Sequence, residues 1–251
     1  MELSISKSTI LSKEQSEVSF RNSIIEFWSF IKKVHYIEQN QTMSLGQKIK
    51  FVSNLMLFKL ALLPIILPIV VATKSITGAK SQQWDENWMT YFIVIILAPF
   101  IEELIFRGFL KYSRVFIAFT LSFLLMIIAK FVFVSSVVLG ISIVLNILLV
   151  PLYVRVLRPL DAKLSMFWSK SFPYIFHITC VCFGLIHLTN YTGISNNYFL
   201  AIPLVTMQLI SGYILGFVRM KFGLIYSIGV HSTWNFIVSF GFLFELLSKF
   251  L

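Results

Sequence analysis

Apolar residues in this chain fall in long unbroken runs separated by short polar stretches. That pattern predicts membrane-spanning helices. Seven runs are long enough, at about 51–73, 88–110, 115–133, 137–154, 172–190, 198–218 and 224–247, because about 20 apolar residues cross a bilayer. The third and fourth form one apolar stretch that includes Lys130, with only Ser135 and Ser136 to mark a turn. No internal repeat or linker divides residues 51–251, which read as one transmembrane domain. Ahead of them, residues 1–50 are polar, but Ile24, Phe27, Trp28, Ile31 and Val34 recur at spacings of three and four. This predicts an amphipathic helix on the membrane surface beside Lys32 and Lys33; the alternative is a frayed tail. The fold class expected is an all-α polytopic membrane protein: about seven transmembrane helices plus an N-terminal interfacial amphipathic helix.

Composition supports the pattern. Hydrophobic residues make up 57% of the 251 positions and charged residues 13%, where a soluble domain carries about 25% charged. Mean hydropathy is +0.84. A soluble domain is excluded. The net charge of +10 invites a nucleic-acid reading, but the basic residues are scattered between apolar runs and form no stripe, so no nucleic-acid partner is expected. With the N-terminus in the cytoplasm, fifteen Lys/Arg fall on the inner side and only Lys74, Lys80 and Lys249 on the outer. This predicts N-in topology and contact with anionic membrane lipids. Lys59, Arg107 and Lys130 fall inside spans. Met1 to Ser19 is mostly polar and reads as no signal peptide. Cys180 and Cys182 stand two apart in one helix and point away from each other, so no disulfide joins them.

Ionisable groups inside a span cost roughly 2.5–3.5 kcal/mol each at a helix centre, so they usually face a cavity or a partner. Glu102 and Glu103 lie well inside the second span, just after Pro99, which removes a backbone donor and kinks or opens the helix. Glu103 and Arg107 can pair along one face. Glu102 is rotated about 100° away and can point elsewhere. Two adjacent carboxylates in low dielectric resist being charged together, the usual preparation of a general base or acid. A helix-end salt bridge with Arg107 reaching toward the headgroups is the alternative, and it leaves Glu102 without a role. Phe183 and His187 share a face of the fifth span. His231 and Asn235 share a face of the seventh, where they can bind a water, a metal or a developing oxyanion. His177 lies on another side of its helix and reads as structural. Together these groups form the inventory for activating water against a carbonyl; they also resemble a transporter's proton relay.

Glu102-Glu103-x-x-x-Arg107, Phe183-x-x-x-His187 and His231-x-x-x-Asn235 resemble, in order, the three motifs of the CPBP intramembrane proteases. That family is also called Abi or CAAX protease and includes the eukaryotic Ras-converting CAAX endopeptidase. The resemblance covers about 85–245. It implies that Glu102 activates water with help from His187, that His231 and Asn235 stabilise the oxyanion, and that Glu103 and Arg107 orient the site. It implies either zinc, with Glu102, His187 and His231 as ligands, or a metal-free glutamate mechanism. Nothing here resembles His-Glu-x-x-His, and the sequence leaves the two open.

The implied protein is a multi-pass endopeptidase of the cytoplasmic membrane acting on a membrane-bound or amphipathic peptide. The implied roles are peptide maturation, bacteriocin self-immunity or envelope regulation. A non-catalytic scaffold or immunity protein on the same fold is the alternative. A proton-coupled transporter is a third reading, but the repeats and paired broken helices usual there are missing. No oligomeric state follows from the sequence.

Overall fold

A computed structural model describes residues 18–248, apart from 38, 41, 83, 84, 86, 119–121, 123, 124, 126–135 and 195–197. The regular structure among these residues is helical apart from one short pair of strands. Helix α1 (Phe20–Lys32) starts at Ser19, whose side chain accepts from the Asn22 amide. Helix α2 (Leu45–Ala61) starts with a reciprocal cap between Ser44 and Gln47. Caps of this kind satisfy amides that the first helical turn cannot. Helix α3 (Leu63–Thr77) follows at a 45° bend, because Pro64 removes an amide donor at the junction.

Gly78, at φ 72°, ends α3 and leads into β1 (Lys80–Ser81), which pairs antiparallel with β2 (Tyr191–Thr192). Helix α4 (Trp88–Arg107) contains a π-helical turn at Ile93–Leu97. Helix α5 (Ser136–Leu157) runs through a 3-10 turn at Arg158–Leu160 into α6 (Asp161–Ile186). Helices α7 (Thr206–Phe222) and α8 (Leu224–Ser248) complete the order.

Seven spans are not confirmed. Among the described residues, three helical runs are long and apolar enough to cross a bilayer: Trp88–Arg107, Ile147–Asn190 and Tyr198–Phe222. The bent pair α2–α3 makes a fourth if it is one span. Most of the expected span at 115–133 lies outside the described residues. The segment 155–171, expected as an inner loop, is helical. Asp161 in the first turn of α6 accepts from the Tyr112 hydroxyl at 2.6 Å and pairs with Arg114 at 3.2 Å. A carboxylate in that position favours a helix N-terminus.

The amphipathic helix forms, but protein covers much of its apolar face. Phe27 and Phe30 are buried against Phe217 and Phe176 at ring-centroid distances of 5.6 and 5.1 Å. Asn54 of α2 donates to Ser23 of α1 at 3.0 Å. Trp28 and Ile25 stay exposed. The expected surface helix is thus docked into the same aromatic core as α2, α6 and α7. The expected division at residue 50 falls inside α2.

Helices α6 and α7 pack closely because glycines remove side chains between them. A Cβ at Gly212 would lie 2.7 Å from the Cys180 carbonyl oxygen, and one at Gly216 would lie 2.8 Å from the Phe176 ring. Small residues four apart allow such approach between membrane helices. Cys180 is buried and Cys182 exposed, both as free thiols. Gly212→Ala should lower stability by about 1–3 kcal/mol, since the neighbouring atom is backbone and cannot move aside. Gly229→Ala, with nothing within 4 Å, should raise it by up to about 1 kcal/mol. Thermal unfolding in detergent checks both.

Candidate active site

Helices α4, α6 and α8 bring the sequence-selected polar groups together. Adjacent carboxylates on α4 diverge by one helical step. Glu103 turns into the bundle and is fully buried at 0% exposure. Its Oε1 lies 3.1 Å from Arg107 Nη1, one turn along the helix. The same oxygen accepts from His231 Nδ1 at 3.0 Å, and its Oε2 accepts from the Ser227 hydroxyl. Ser227 lies one turn before His231 on α8, so both reach the same carboxylate.

Arg107 is 1% exposed. Its guanidinium stacks 3.8 Å from the Phe183 ring centroid, and its Nη2 donates to the Gly212 carbonyl at 3.4 Å. The carbonyls of Arg107 and Gly108 accept from Arg219, which satisfies acceptors that a helix C-terminus leaves open. The Phe183 ring contacts the imidazoles of His187 and His231 edge-on, at 4.8 and 5.6 Å. One aromatic side chain therefore separates the buried ion pair from the outer site and sets both imidazoles against it.

The outer site is formed by Glu102, His187 and His231. Glu102 Oε2 lies 3.9 Å from His187 Nε2 and 3.8 Å from His231 Nε2. It is buried and has no hydrogen-bond partner among the described residues. His187 lies at the end of α6, where the helix tightens to a 3-10 turn, and its Nδ1 contacts the Phe183 carbonyl at 2.7 Å. A carbonyl only accepts, so Nδ1 of His187 carries a proton. Nδ1 of His231 carries one toward Glu103 for the same reason. In a singly protonated ring each Nε2 is then a bare acceptor. Two such nitrogens and a carboxylate oxygen facing one point call for something that donates between them. Separations near 3.8 Å are too long for direct hydrogen bonds, and a water shared between these atoms would satisfy them.

A zinc ion would draw ligand atoms to about 3.3–3.4 Å from one another, given bonds near 2.0–2.1 Å in a tetrahedral shell. Both imidazoles have the anchored Nδ1 that zinc ligands use. The donors are of the type zinc takes, but the spacing is wider. Among the described residues no three His, Cys, Asp or Glu are grouped to hold a metal ion.

Asn235 has a packing contact that its spacing from His231 does not reveal. Its amide donates to the Val94 carbonyl at 2.8 Å. In the π-helical turn the Ala98 amide reaches back five residues to the Ile93 carbonyl. The next bond in that register would come from residue 99, a proline without an amide hydrogen. Asn235 supplies the donor that Pro99 lacks, and so ties α8 to the π-helical turn of α4. His177 contacts the Tyr213 hydroxyl at 3.2 Å, a packing contact between α6 and α7.

Two residues counted in the sequence as inner-loop charge are buried. Arg219 bonds to the end of α4, and Lys221 pairs with Glu26 of α1. The i, i+4 spacing of Ser227 to His231 and the Gly212-x-x-x-Gly216 repeat were the signals available for the groups that sequence reasoning missed.

Residues 84–237 match the family described as type II CAAX prenyl endopeptidase Rce1-like. That stretch contains all three motif pairs. No curated protein and no solved structure matches the chain significantly.

Arg107→Met would leave Glu103 buried without its cation and should cost about 3–5 kcal/mol. Adding Glu103→Gln should recover part of that loss, because the uncompensated charge is then gone. A thermal-unfolding double-mutant cycle measures the coupling.

Proposed function

The chain belongs to the type II CAAX prenyl endopeptidase Rce1-like family, and on that premise we propose that it hydrolyses a peptide bond in a membrane-bound or amphipathic peptide through water activated by Glu102. The observation that carries this reading is the convergence of Glu102 Oε2 with two imidazole nitrogens at 3.8 and 3.9 Å. A water in that gap donates to the carboxylate and to one Nε2. Glu102 takes the water's proton as the oxygen bonds to the substrate carbonyl carbon. That proton and the water's second one then pass to the amide nitrogen as the C–N bond breaks, leaving a carboxylate and an ammonium group.

We assign the developing oxyanion to His231 and Asn235. His231 faces it once its Nε2 has taken the attacking water's second proton, and Glu103, on the opposite nitrogen, stabilises that charged ring as the carboxylate of a catalytic triad does. Asn235 has a second amide hydrogen beyond the one donated to Val94. Glu103 and Arg107 are positioning residues, and Phe183 keeps the two imidazoles at a fixed angle. The protein is membrane-embedded, and N-in topology in the cytoplasmic membrane is the orientation we propose from the lysine and arginine bias. Peptide maturation or bacteriocin self-immunity are the roles that go with such a substrate.

Glu102→Gln should lower cleavage of a lipid-anchored peptide by about 10²–10⁴-fold, the contribution of general acid–base catalysis. Its thermal stability should stay unchanged, since Glu102 Oε2 holds no hydrogen bond. Retained cleavage in a folded Glu102→Gln protein would remove Glu102 as the base, and absence of cleavage by the wild type would remove the hydrolytic reading.

A further inference from the structure

Beside the site lies a small cleft lined by α2, α7 and α8. Its wall includes Leu55, Met56, Lys59, Ser211, His231 and Trp234. His231 belongs to both places. The cleft also contains a lysine that the site chemistry above does not use. Lys59 is 4% exposed, and its Nζ sits 3.3 Å from the Trp234 ring centroid. Among the described residues it makes no hydrogen bond and no ion pair. A cation on an indole face gains part of its lost hydration back, but Trp234 is neutral and supplies no countercharge. Burying an unpaired ammonium is costly, so burial favours the neutral amine until something anionic arrives to complete the cation.

Reaching toward a headgroup does not explain Lys59. It stands fourteen residues into α2, about 21 Å along the helix axis from Leu45, and α3 continues the apolar run beyond it. Its side chain lies against α8 one turn from His231. Lys59 also falls outside 84–237, the residues that match the family. The feature therefore belongs to the N-terminal part of this chain, which the docking of α1 and α2 holds against the bundle.

We propose that Lys59 is a specificity-determining residue that binds a carboxylate of the peptide substrate while the scissile bond lies at Glu102 and His231. Ser211 adds a hydroxyl to the same wall, which donates to the Met207 carbonyl at 2.7 Å. The carboxylate is either the peptide's C-terminus or an acidic side chain near it. Placing an anion on Lys59 fixes the register of the peptide relative to His231, and so fixes which bond is cut. This proposal rests on the hydrolytic reading only for the word substrate; the anion site stands or falls separately.

The test uses the full chain in phosphatidylcholine liposomes with an acylated, quenched-fluorescent peptide pool in three matched forms. One form ends in a free carboxylate and one in an amide; the third is amidated with Glu as its last residue. The wild-type protein should prefer a carboxylate-bearing form over the plain amide by about tenfold or more, mainly in KM, the size of a charge-assisted contact. Lys59→Met should collapse that ratio to about one, and Lys59→Arg should retain it. A ratio taken on one protein is insensitive to loss of folded material. Preference for the free terminus or for the Glu form identifies the source of the carboxylate.

Indifference of the wild type to all three forms, or a preference that survives Lys59→Met, overturns the proposal. Binding of the same peptides to Glu102→Gln, followed by fluorescence anisotropy, separates the two readings. A Lys59-dependent carboxylate preference in binding, with no cleavage by the wild type, keeps the anion site and removes hydrolysis. Cleavage without any such preference does the reverse.

Discussion

A carboxylate with no solvent exposure needs its charge answered from every side, and Glu103 is answered by Arg107, His231 and Ser227. The rest of the site hangs on that arrangement. Arg107 is in turn fixed by the Phe183 ring and the Gly212 carbonyl, which locks α4 to α6 and α7. His231 receives its orientation from Glu103 and so presents Nε2 outward, toward Glu102. An ion pair of this kind contributes little net stability and is strongly destabilising when broken. Its value here is positional: it converts four helices, α4, α6, α7 and α8, into one rigid holder for two imidazoles.

Much of the site was legible because membranes make polar residues expensive. Glu102, Glu103, Arg107, His187 and His231 stood out from apolar runs, and the structure places all five within one connected group. The divergence of the two glutamates followed from the helical step alone. The role of Asn235 was less legible, since its bond to Val94 depends on a π-helical turn that spacing does not reveal. Arg219 and Lys221 looked like loop charges because they follow an apolar run; burial against Arg107 and Glu26 could not be read from one chain's order. Lys59 was visible as a charge inside a span, but its neighbour Trp234 lies 175 positions away.

The fold was legible in outline. Helix content and the amphipathic α1 follow from periodicity and caps, whereas the bend at Leu62, inside the expected 51–73 span, was marked only by Pro64 and was not expected. Span count did not follow. Hydropathy alone divides the chain into segments of bilayer length, whereas α5 and α6 join through Arg158–Leu160 into a helical run with no loop. Docking of α1 was also hidden, because an apolar stripe looks the same whether lipid or Phe217 covers it. These two outcomes share a cause: periodicity reports which face is apolar and says nothing about what covers it.

The central claim is that Glu103 and the Phe183 carbonyl hold both imidazoles with Nδ1 protonated, so that two bare Nε2 atoms and Glu102 enclose a water. Nitrogen-15 spectra of His187 and His231 in lipid bilayers test this most directly. The account predicts an unprotonated Nε2 and a protonated Nδ1 on both rings in the resting protein, with His231 losing that preference in Glu103→Gln. A proton on Nε2 with Nδ1 bare, on either ring, would contradict it.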